Sequence, residues 1–483
     1  MDRTGQRKPR GRLAGRSGSA LAAVALALAA ALAAAGCEDT KVSVQAARLP
    51  PPSGTLDPSF GGSGYVVESG TAGATGAPGS ALDDRGTAMA VDASGRIVVA
   101  GHSDNAAGQS TLAIWRILSN GTLDTAFGCA AGTGCPGYAT QANSAGGNSD
   151  DGAALLVDPS GRIVVAGSSM NAGGGSEMAI WRYLSNGTLD TAFGCAPGTG
   201  CPGFVVQAGT AGGSNDYGRA VTLDASGNIV VAGQSQTPSG YATAVWRYLD
   251  NGTLDTTFNT TGFSTSSGAA GGSNDNGTAV TLDPSGGILS AGASQNSGGY
   301  FQTTLWRYTA AGALDPTFNT TGFAVAPARV GAAPIDESAR AIRVVHGQLV
   351  AVGYSHGAST YDLTFWAYNT DGTAAGSFTE STGNAANAVD DGFALDVDVF
   401  SRIVVAGTST DAAGNYRMAV WRFLPDGSLD PTFHSSGTAY FSVGNGWGSG
   451  HGVALDAAGR IVVAGDSWTA GSYHEMVTWR VFQ

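Results

Sequence analysis

The chain has 483 residues, 75 of them glycine, and a formal net charge of −13. Residues 1–36 hold six basic groups and one Asp, so the remainder carries 18 Lys/Arg against 36 Asp/Glu, a net charge of −18. Such an acidic surface argues against nucleic acid and anionic lipid headgroups as partners.

The first 36 residues predict export. Residues 1–16 contain six Lys/Arg, and an Ala/Leu-rich stretch follows from Leu21 to Gly36. A basic region, a short apolar region and a small-residue cleavage site are typical of a signal peptide. The segment is similar to a bacterial lipoprotein signal, in which Cys37 becomes the lipidated first residue. Ala34 stands where Leu is more usual, so ordinary signal-peptide cleavage is the alternative. The apolar stretch is shorter than the ~20 residues that span a bilayer.

Three segments follow from this interpretation. Residues 1–36 form a lipoprotein-type signal peptide, residues 37–54 a lipidated Cys37 with a flexible tether, and residues 55–483 a repeat domain. We expect an exported monomer at the bacterial cell envelope, in the periplasm or on the cell surface. Its contact with the membrane is through the lipid anchor only.

Seven tryptophans define the repeat. They are separated by 66, 65, 60, 60, 55 and 58 residues, and six of the seven are followed by Arg. The positions are Trp115, Trp181, Trp246, Trp306, Trp366, Trp421 and Trp479. Regular spacing of this kind indicates one supersecondary unit repeated along the chain.

Each unit predicts four short strands. It opens with a Leu-Asp-x-x-Phe turn, as at Leu56, and continues with a short aromatic-led strand such as 64–67. A Gly/Asn/Asp-rich loop leads to a strand ending in Asp92, the chain returns as Gly-Arg-Ile-Val-Val-Ala-Gly at 95–101, and a fourth strand carries the Trp. Such runs are strand signals.

Four strands per unit are typical of a propeller blade. Seven units therefore predict an all-β protein, a seven-bladed β-propeller of four-stranded antiparallel blades. An open solenoid is the alternative, but polar capping repeats would be expected at its ends. The two ends of the domain are instead complementary, because the first unit begins with the turn that elsewhere follows a Trp strand. We expect segment 55–67 to lie beside segment 474–483.

The repeat resembles the delta-60 repeat family, a group of predicted bacterial β-propellers of unknown function. The resemblance rests on the Leu-Asp-x-x-Phe turn, the Gly-Arg-Ile-Val-Val-Ala-Gly strand and the Trp-Arg strand, and it spans about 55–483. It implies the fold and brings no activity. Unit six departs from the pattern, with Thr373 to Phe378 in place of the Leu-Asp turn, so an irregular blade is expected there.

Four cysteines fall in two equivalent insertions, as Cys129 with Cys135 and Cys195 with Cys201. Even, local pairs in an exported protein imply disulfides. A zinc site built from all four is the alternative, although Cys-x5-Cys is not a usual zinc spacing.

One motif suggests a hydrolase. Residues 353–357 match the Gly-x-Ser-x-Gly nucleophile elbow, which requires a strand-to-helix turn. However, Ser355 is one copy of a serine found in every unit, which favours a structural role. The full set is Ser103, Ser169, Ser235, Ser294, Ser355, Ser409 and Ser467.

Acidic pairs precede the second strand of most units, as at Asp150 and Asp151. Calcium needs several converging oxygens, which such loops can supply. No Asp-x-Asp-x-Asp-Gly loop is present, and Asx turns explain the same residues. Calcium is thus a weakly supported cofactor, and no other cofactor or metal is predicted.

The best candidate site lies where the repeats differ. Unit seven lacks the acidic pair and has Trp447 and His451 in that loop, with Trp468, His474 and Glu475 between its third and fourth strands. In an up-and-down blade these two loops share a face, so the side chains can form a stacking platform for a sugar or an anchor for a protein. Three residues of unit one reach the same rim if the ring closes: Asp83, Asp84 and His102. The alternative is that these residues patch the ring closure.

These observations favour a non-catalytic protein- or glycan-binding module at the cell envelope. The alternatives are a lyase or hydrolase acting at the unit-seven face, and a structural spacer. No catalytic residue is assigned, because no other unrepeated cluster combines an acid, a base and metal ligands.

Overall fold

The computed structural model describes the chain from residue 52 onward, with gaps. The described ranges are 52–72, 83–129, 135–194, 202–327, 336–356, 360–380, 389–411, 413–443, 447–468 and 473–483. The predicted signal peptide, Cys37 and the Cys195–Cys201 pair lie outside them. Within these ranges the regular structure consists of 28 β-strands.

The strands are short, and most have three to nine residues. The first half of the domain contains β1 (Tyr65–Glu68), β2 (Asp84–Val91), β3 (Ile97–Asp104), β4 (Ser110–Ile117), β5 (Tyr138–Gln141), β6 (Gly146–Val157), β7 (Ile163–Asn171), β8 (Ser176–Tyr183), β9 (Phe204–Gln207), β10 (Asp216–Leu223), β11 (Ile229–Thr237), β12 (Gly240–Tyr248), β13 (Phe263–Ser266) and β14 (Gly271–Leu282). The second half contains β15 (Ile288–Asn296), β16 (Phe301–Tyr308), β17 (Phe323–Val325), β18 (Glu337–Val345), β19 (Gln348–His356), β20 (Tyr361–Asn369), β21 (Ala374–Glu380), β22 (Asp390–Val397), β23 (Ile403–Thr410), β24 (Tyr416–Phe423), β25 (Thr438–Phe441), β26 (Trp447–Leu455), β27 (Ile461–Trp468) and β28 (His474–Val481).

The strands form an all-β propeller, but not seven separate blades. Five blades are separate four-stranded sheets: β2 to β5, β6 to β9, β18 to β21, β22 to β25, and β26 to β28 with β1. The other eight strands, β10 to β17, form one continuous sheet. The prediction of seven four-stranded blades is therefore wrong.

A single backbone bridge joins the two halves of the eight-stranded sheet. Tyr241 of β12 and Asn274 of β14 form a parallel bridge, and the Tyr241 N–H donates to Asn274 Oδ1 at 3.2 Å. Asn274 Nδ2 in turn donates to Gln295 Oε1 at 2.8 Å. The same side-chain contact occurs between separate sheets, where the Ser176 N–H donates to Asn215 Oδ1 at 2.9 Å. The backbone bridge between Tyr241 and Asn274 is therefore what makes β10 to β17 continuous, where the sequence pattern indicated a boundary between blades.

The two ends of the domain meet edge to edge, as predicted. β1 pairs antiparallel with β28, and Tyr65 lies opposite Trp479. The Asp57 N–H donates to the Arg480 carbonyl at 2.9 Å, and the Gly54 N–H donates to the Phe482 carbonyl at 2.8 Å. The first residues of the domain therefore complete the sheet formed by its last three strands.

In each four-stranded sheet the repeated tryptophan lies on the third strand, because the short strand of the following unit is added outside it. Trp246 and Trp306 lie on β12 and β16 of the eight-stranded sheet. Trp181 has no exposed surface and packs in one cluster with Val98, Ala100 and Ile114 of the preceding sheet. Burying such a side chain is worth about 2–3 kcal/mol. The core therefore lies between neighbouring sheets.

The Trp-Arg and Leu-Asp-x-x-Phe motifs form one contact. Arg116 Nε donates to Asp124 Oδ2 at 2.8 Å, and its guanidinium lies 4.5 Å from the centroid of the Phe127 ring. The same contact closes the ring, where Arg480 Nε donates to Asp57 Oδ2 at 2.8 Å. Unit five has Ala367 in place of the Arg, and it is followed by β21 without a Leu-Asp turn. The Arg and its Asp partner are therefore lost together.

A β-bulge interrupts the first strand of every unit's sheet. In β10 the pairing with β11 skips from Gly218 to Ala220, so that Arg219 is the extra residue. Gly233, the last residue of the Val-Val-Ala-Gly segment in β11, lies opposite the bulge. A Cβ atom at Gly233 would stand 1.8 Å from the Tyr217 carbonyl oxygen. The repeated glycine therefore leaves room for the bulge.

We expect Gly233→Ala to destabilise the domain by ~1–3 kcal/mol. The added methyl group would clash with the Tyr217 carbonyl, which cannot move away without breaking the hydrogen bonds between β10 and β11. Denaturant unfolding measures the change. Gly298→Ala is the matched control, since the nearest atom to its Cβ would be a side-chain oxygen at 3.2 Å. Equal stability of the two variants would contradict the role of the bulge.

Strand β1, which completes the sheet of the last unit, carries a titratable group. Burial and the nearby Asp84 carboxylate raise the pKa of Glu68 from 4.5 to about 7. The folded protein therefore holds this proton more tightly than the unfolded chain does. The stability that Glu68 contributes is complete below pH about 4.5 and is lost as the pH rises through about 7.

We expect wild-type stability to fall between pH 5 and 8 more steeply than that of Glu68→Gln, by at most about 1.4 kcal/mol per pH unit. Denaturant midpoints across this range measure the slope. Asp426→Asn is a suitable control, because hydrogen bonds from Ser428 lower the pKa of Asp426. Parallel curves for the wild type and Glu68→Gln would contradict the prediction.

Candidate functional site

The two unrepeated tryptophans lie side by side on β26 and β27. Trp447 and Trp468 are register partners, with ring centroids 5.7 Å apart. They are 41% and 36% exposed. Tyr416 of the neighbouring sheet lies 5.4 Å from the Trp447 ring. These three side chains form an aromatic platform. The sequence placed Trp447 and Trp468 in two loops, whereas they lie at the adjacent ends of strands β26 and β27.

A buried carboxylate holds the two histidines. Asp466 Oδ1 lies 2.7 Å from His451 Nε2, and Asp466 Oδ2 accepts a hydrogen bond at His474 Nδ1. Burial alone would raise the pKa of Asp466, but the hydrogen bonds from His451 and His474 outweigh it and leave this pKa well below its usual range. Asp466 therefore stays ionised and orients both imidazole rings.

The remaining predicted residues divide into two groups. Asp83 reaches the unit-seven face, where its Oδ1 accepts the His474 N–H at 3.0 Å. Asp84 is buried and holds the loop before β2 through the Thr71 N–H at 3.5 Å. Glu475 lies opposite Ser467 in the sheet, and His102 lies 3.7 Å from Asp151. Asp84, Glu475 and His102 therefore do not join the platform.

A cavity of about 520 Å³ opens beside the platform. The two tryptophans, Asp466 and His474 line one side of it. Units five and six supply the other side with Arg340, Tyr354, Tyr361, Asp391, Phe393 and Tyr416. We call this space the aromatic cleft. The sequence analysis missed the second set, although Arg340 and Phe393 stand at a position whose residue type changes from unit to unit.

Arg340 and Phe393 each occupy the extra position of a β-bulge. The extra residue of each bulge faces a second cavity of about 830 Å³, which we call the channel. The bulge residues are Thr87, Ala153, Arg219, Thr278, Arg340, Phe393 and His451. The channel shares Arg340, Tyr354 and Phe393 with the aromatic cleft, so the two cavities adjoin.

One carboxyl group of the cleft is deeply buried. Asp391 is 8% exposed, and its Oδ2 lies 3.5 Å from Arg340 Nη2. Burial raises the pKa of Asp391, while the charges of Arg340 and His451 oppose that effect. Asp391 and Asp466 therefore differ in the strength with which they hold a proton, and both face the cleft.

The Gly-x-Ser-x-Gly motif does not form a nucleophile elbow. Ser355 lies within β19 and is buried, and its Oγ donates to Glu337 Oε1 at 2.8 Å. The acidic pairs serve their own loops, since Asp150 accepts the Ser144 N–H at 3.1 Å and Asp216 accepts the Thr210 N–H at 3.2 Å. Among the described residues, no group of three or more His, Cys, Asp and Glu side chains is placed to hold a metal ion.

The first predicted disulfide is present, since Cys129 and Cys135 are bonded with Cα atoms 5.4 Å apart. The second predicted pair, Cys195 and Cys201, falls outside the described ranges. Within the described ranges, no helix has the length and hydropathy needed to cross a lipid bilayer.

Comparison with known proteins agrees with a propeller repeat family of unknown function. The chain matches the model of a β-propeller domain of unknown function, DUF5122, at residues 93–127, 159–193, 225–258, 284–318 and 401–433. Units five and seven, which supply much of the aromatic cleft, lie outside these matches. A search of curated proteins finds no match.

Solved structures share the general architecture at low identity. A protein of unknown function from Dyadobacter fermentans is 11% identical with a TM-score of 0.40, covering 87% of this chain and 98% of its own. Sqt1 from Chaetomium thermophilum is 11% identical with a TM-score of 0.45, covering 86% and 97%. An ulvan lyase of polysaccharide lyase family PL25 is 9% identical with a TM-score of 0.44, covering 84% and 96%. These values carry no argument about activity.

Proposed function

We propose that the protein is a non-catalytic module that binds a glycan in the aromatic cleft. The observation that carries the proposal is the exposed pair Trp447 and Trp468, extended by Tyr416 and set against a cavity of about 520 Å³. Exposed aromatic rings offer flat apolar faces with little entropy to lose, which suits stacking against the C–H face of a sugar.

The size of the cleft favours a glycan over a protein partner. Pockets for small ligands enclose about 300–1,000 Å³, whereas a stable protein interface buries about 800 Å² on each partner. The side chains at the cleft also match a sugar. Asp466, Asp391 and Arg340 provide acceptors and donors for hydroxyl groups beside the aromatic faces.

We further infer that the repeats are of the delta-60 type and that the protein acts at the cell envelope. The support is the predicted lipoprotein signal ending at Cys37 and the even, local cysteine pairs, of which Cys129–Cys135 is bonded. Disulfides persist in oxidising compartments. Mass spectrometry of the mature N-terminus tests the lipid, and a mature start other than Cys37 would contradict it.

We expect Trp447→Ala and Trp468→Ala each to weaken glycan binding at least tenfold, equivalent to about 1.4 kcal/mol, and the double variant to abolish it. The thermal midpoint should change little, because both side chains are already exposed in part. A glycan array with the soluble 38–483 fragment identifies the ligand, and calorimetry measures the affinities.

Tyr300→Ala is the matched control, since Tyr300 is 39% exposed and does not line the cleft. The outcome that would overturn the proposal is retained binding in the double variant together with a large loss of thermal stability. That result would assign the two tryptophans to ring closure.

A second candidate is an enzyme that cleaves the same glycan, as a lyase or hydrolase. The observation that favours it is the orientation of His474 by Asp466, since a base held by a carboxylate is a recurrent arrangement for proton transfer. His474→Gln separates the two functions. Loss of product formation with unchanged binding would support the enzyme, whereas no product from the wild-type protein on any bound glycan would support the binding module.

A further inference from the structure

Arg219 stands out among the basic residues. It is the bulge residue of β10 and lines the channel. Its guanidinium lies 5.0 Å from the centroid of the Tyr217 ring. Among the described residues it makes no ion pair or hydrogen bond. Arg219 is exposed to solvent. Partial desolvation and, as a smaller effect, the charge of Arg340 lower its pKa.

Most other arginines are paired with a nearby carboxylate. The described arginines with an Asp partner at 3.1 Å or closer are Arg85, Arg96, Arg116, Arg162, Arg182, Arg247, Arg307, Arg402, Arg417, Arg422, Arg460 and Arg480. The exceptions are Arg219, Arg340 and Arg343. Arg340 has only the 3.5 Å contact with Asp391, and Arg343 donates only to the Ile342 carbonyl at 3.4 Å. Arg219 and Arg340 line the channel. All three arginines line an adjoining cavity of about 180 Å³.

The acidic side chains of the channel are already occupied. Asp151 accepts hydrogen bonds from Ser110 and from Ser149, the latter at 3.0 Å. His102 lies 3.7 Å from it. No acidic side chain among the described residues forms an ion pair with Arg219, in a protein whose predicted mature form has twice as many acidic as basic residues.

A guanidinium group that lacks a partner in a cavity is a site for an oxyanion, because its N–H groups match carboxylate and sulfate oxygens in pairs. Arg340 lines the same cavity, so an anion held between the two guanidinium groups would interact with both positive charges. The channel adjoins the aromatic cleft at Arg340, Tyr354 and Phe393. One chain-like ligand can therefore occupy both cavities.

We propose that the ligand is an acidic glycan, with neutral faces stacked in the aromatic cleft and a carboxylate or sulfate group held in the channel by Arg219 and Arg340. This inference rests on the proposed glycan-binding function. The inference adds the chemical class of the ligand and assigns the preference for an acidic glycan to Arg219. The acidic outer surface does not prevent binding, since charges beyond about 8 Å are screened at physiological salt.

The test compares size-matched neutral, uronic-acid and sulfated oligosaccharides on the 38–483 fragment. We expect the wild-type protein to bind an acidic form at least tenfold more tightly than the neutral form, and this preference to shrink as salt is raised. The uronic-acid and sulfated arms identify which oxyanion the channel takes. The salt dependence needs no variant, so it tests the site even if a substitution fails to fold.

Arg219→Gln should remove the preference for the acidic form and leave neutral binding and thermal stability unchanged, because Arg219 makes no bond in the fold. Arg219→Lys should keep part of the preference. Arg162→Gln is the control, since Arg162 is paired with Asp158 and Asp250 away from both cavities. Equal binding of neutral and acidic forms by the wild type overturns the channel site and leaves the cleft proposal standing. Absence of binding to every oligosaccharide overturns the cleft proposal itself.

Discussion

The close approach of a glycine to a bulged backbone is the constraint on which the other features depend. In each unit the glycine that ends the Val-Val-Ala-Gly type segment lies where a Cβ atom would be 1.8–2.0 Å from a carbonyl oxygen of the bulged strand. The positions are Gly101, Gly167, Gly233, Gly292, Gly353, Gly407 and Gly465. A bulge adds one residue, and this residue faces the channel. The scaffold thereby offers one channel position per unit whose side chain is free to differ.

The second constraint is the contact between Arg, Asp and Phe. It ties the Trp strand to the turn that follows, and in unit seven it ties the end of the chain to its beginning through Arg480, Asp57 and Phe60. Because the same three residue types act inside the domain and at its closure, no special device is needed at the junction. We propose that the exposed surface of the unit-seven aromatics serves ligand binding rather than ring closure.

The repeated sequence features predicted the repeated features of the fold, but they did not predict the joining of two neighbouring sheets or the full set of residues in the aromatic cleft. The Trp spacing, the strand pattern and the complementary ends were sufficient for an all-β propeller closed by β1 and β28, and the local Cys129–Cys135 pair was sufficient for its disulfide. The separation of blades was not predictable, since it depends on one backbone bridge between Tyr241 and Asn274, and the side-chain contact beside it recurs at Ser176 and Asn215, where the sheets are separate. Within the candidate site, the two tryptophans and two histidines of unit seven were predicted from their departure from the repeat, whereas Arg340 and Phe393 were not, because they differ from their counterparts only at the bulge position.

Repeated residues and bulge residues differ in how many of their polar groups are bonded within the fold. Residues that recur in all or most units, such as Ser355 and Asp150, are hydrogen-bonded within their own sheet or loop and have little capacity left for a ligand. The bulge residues bond within the fold in some units, since Thr87 Oγ1 and Thr278 Oγ1 donate to backbone carbonyls, but their residue type changes along the chain from Thr to Arg, Phe or His. In this chain the bulge residues Arg340, Phe393 and His451 fall in consecutive sheets, beside Trp447 and Trp468. The chemistry is therefore concentrated in one sector of the ring, where the aromatic cleft and the channel adjoin.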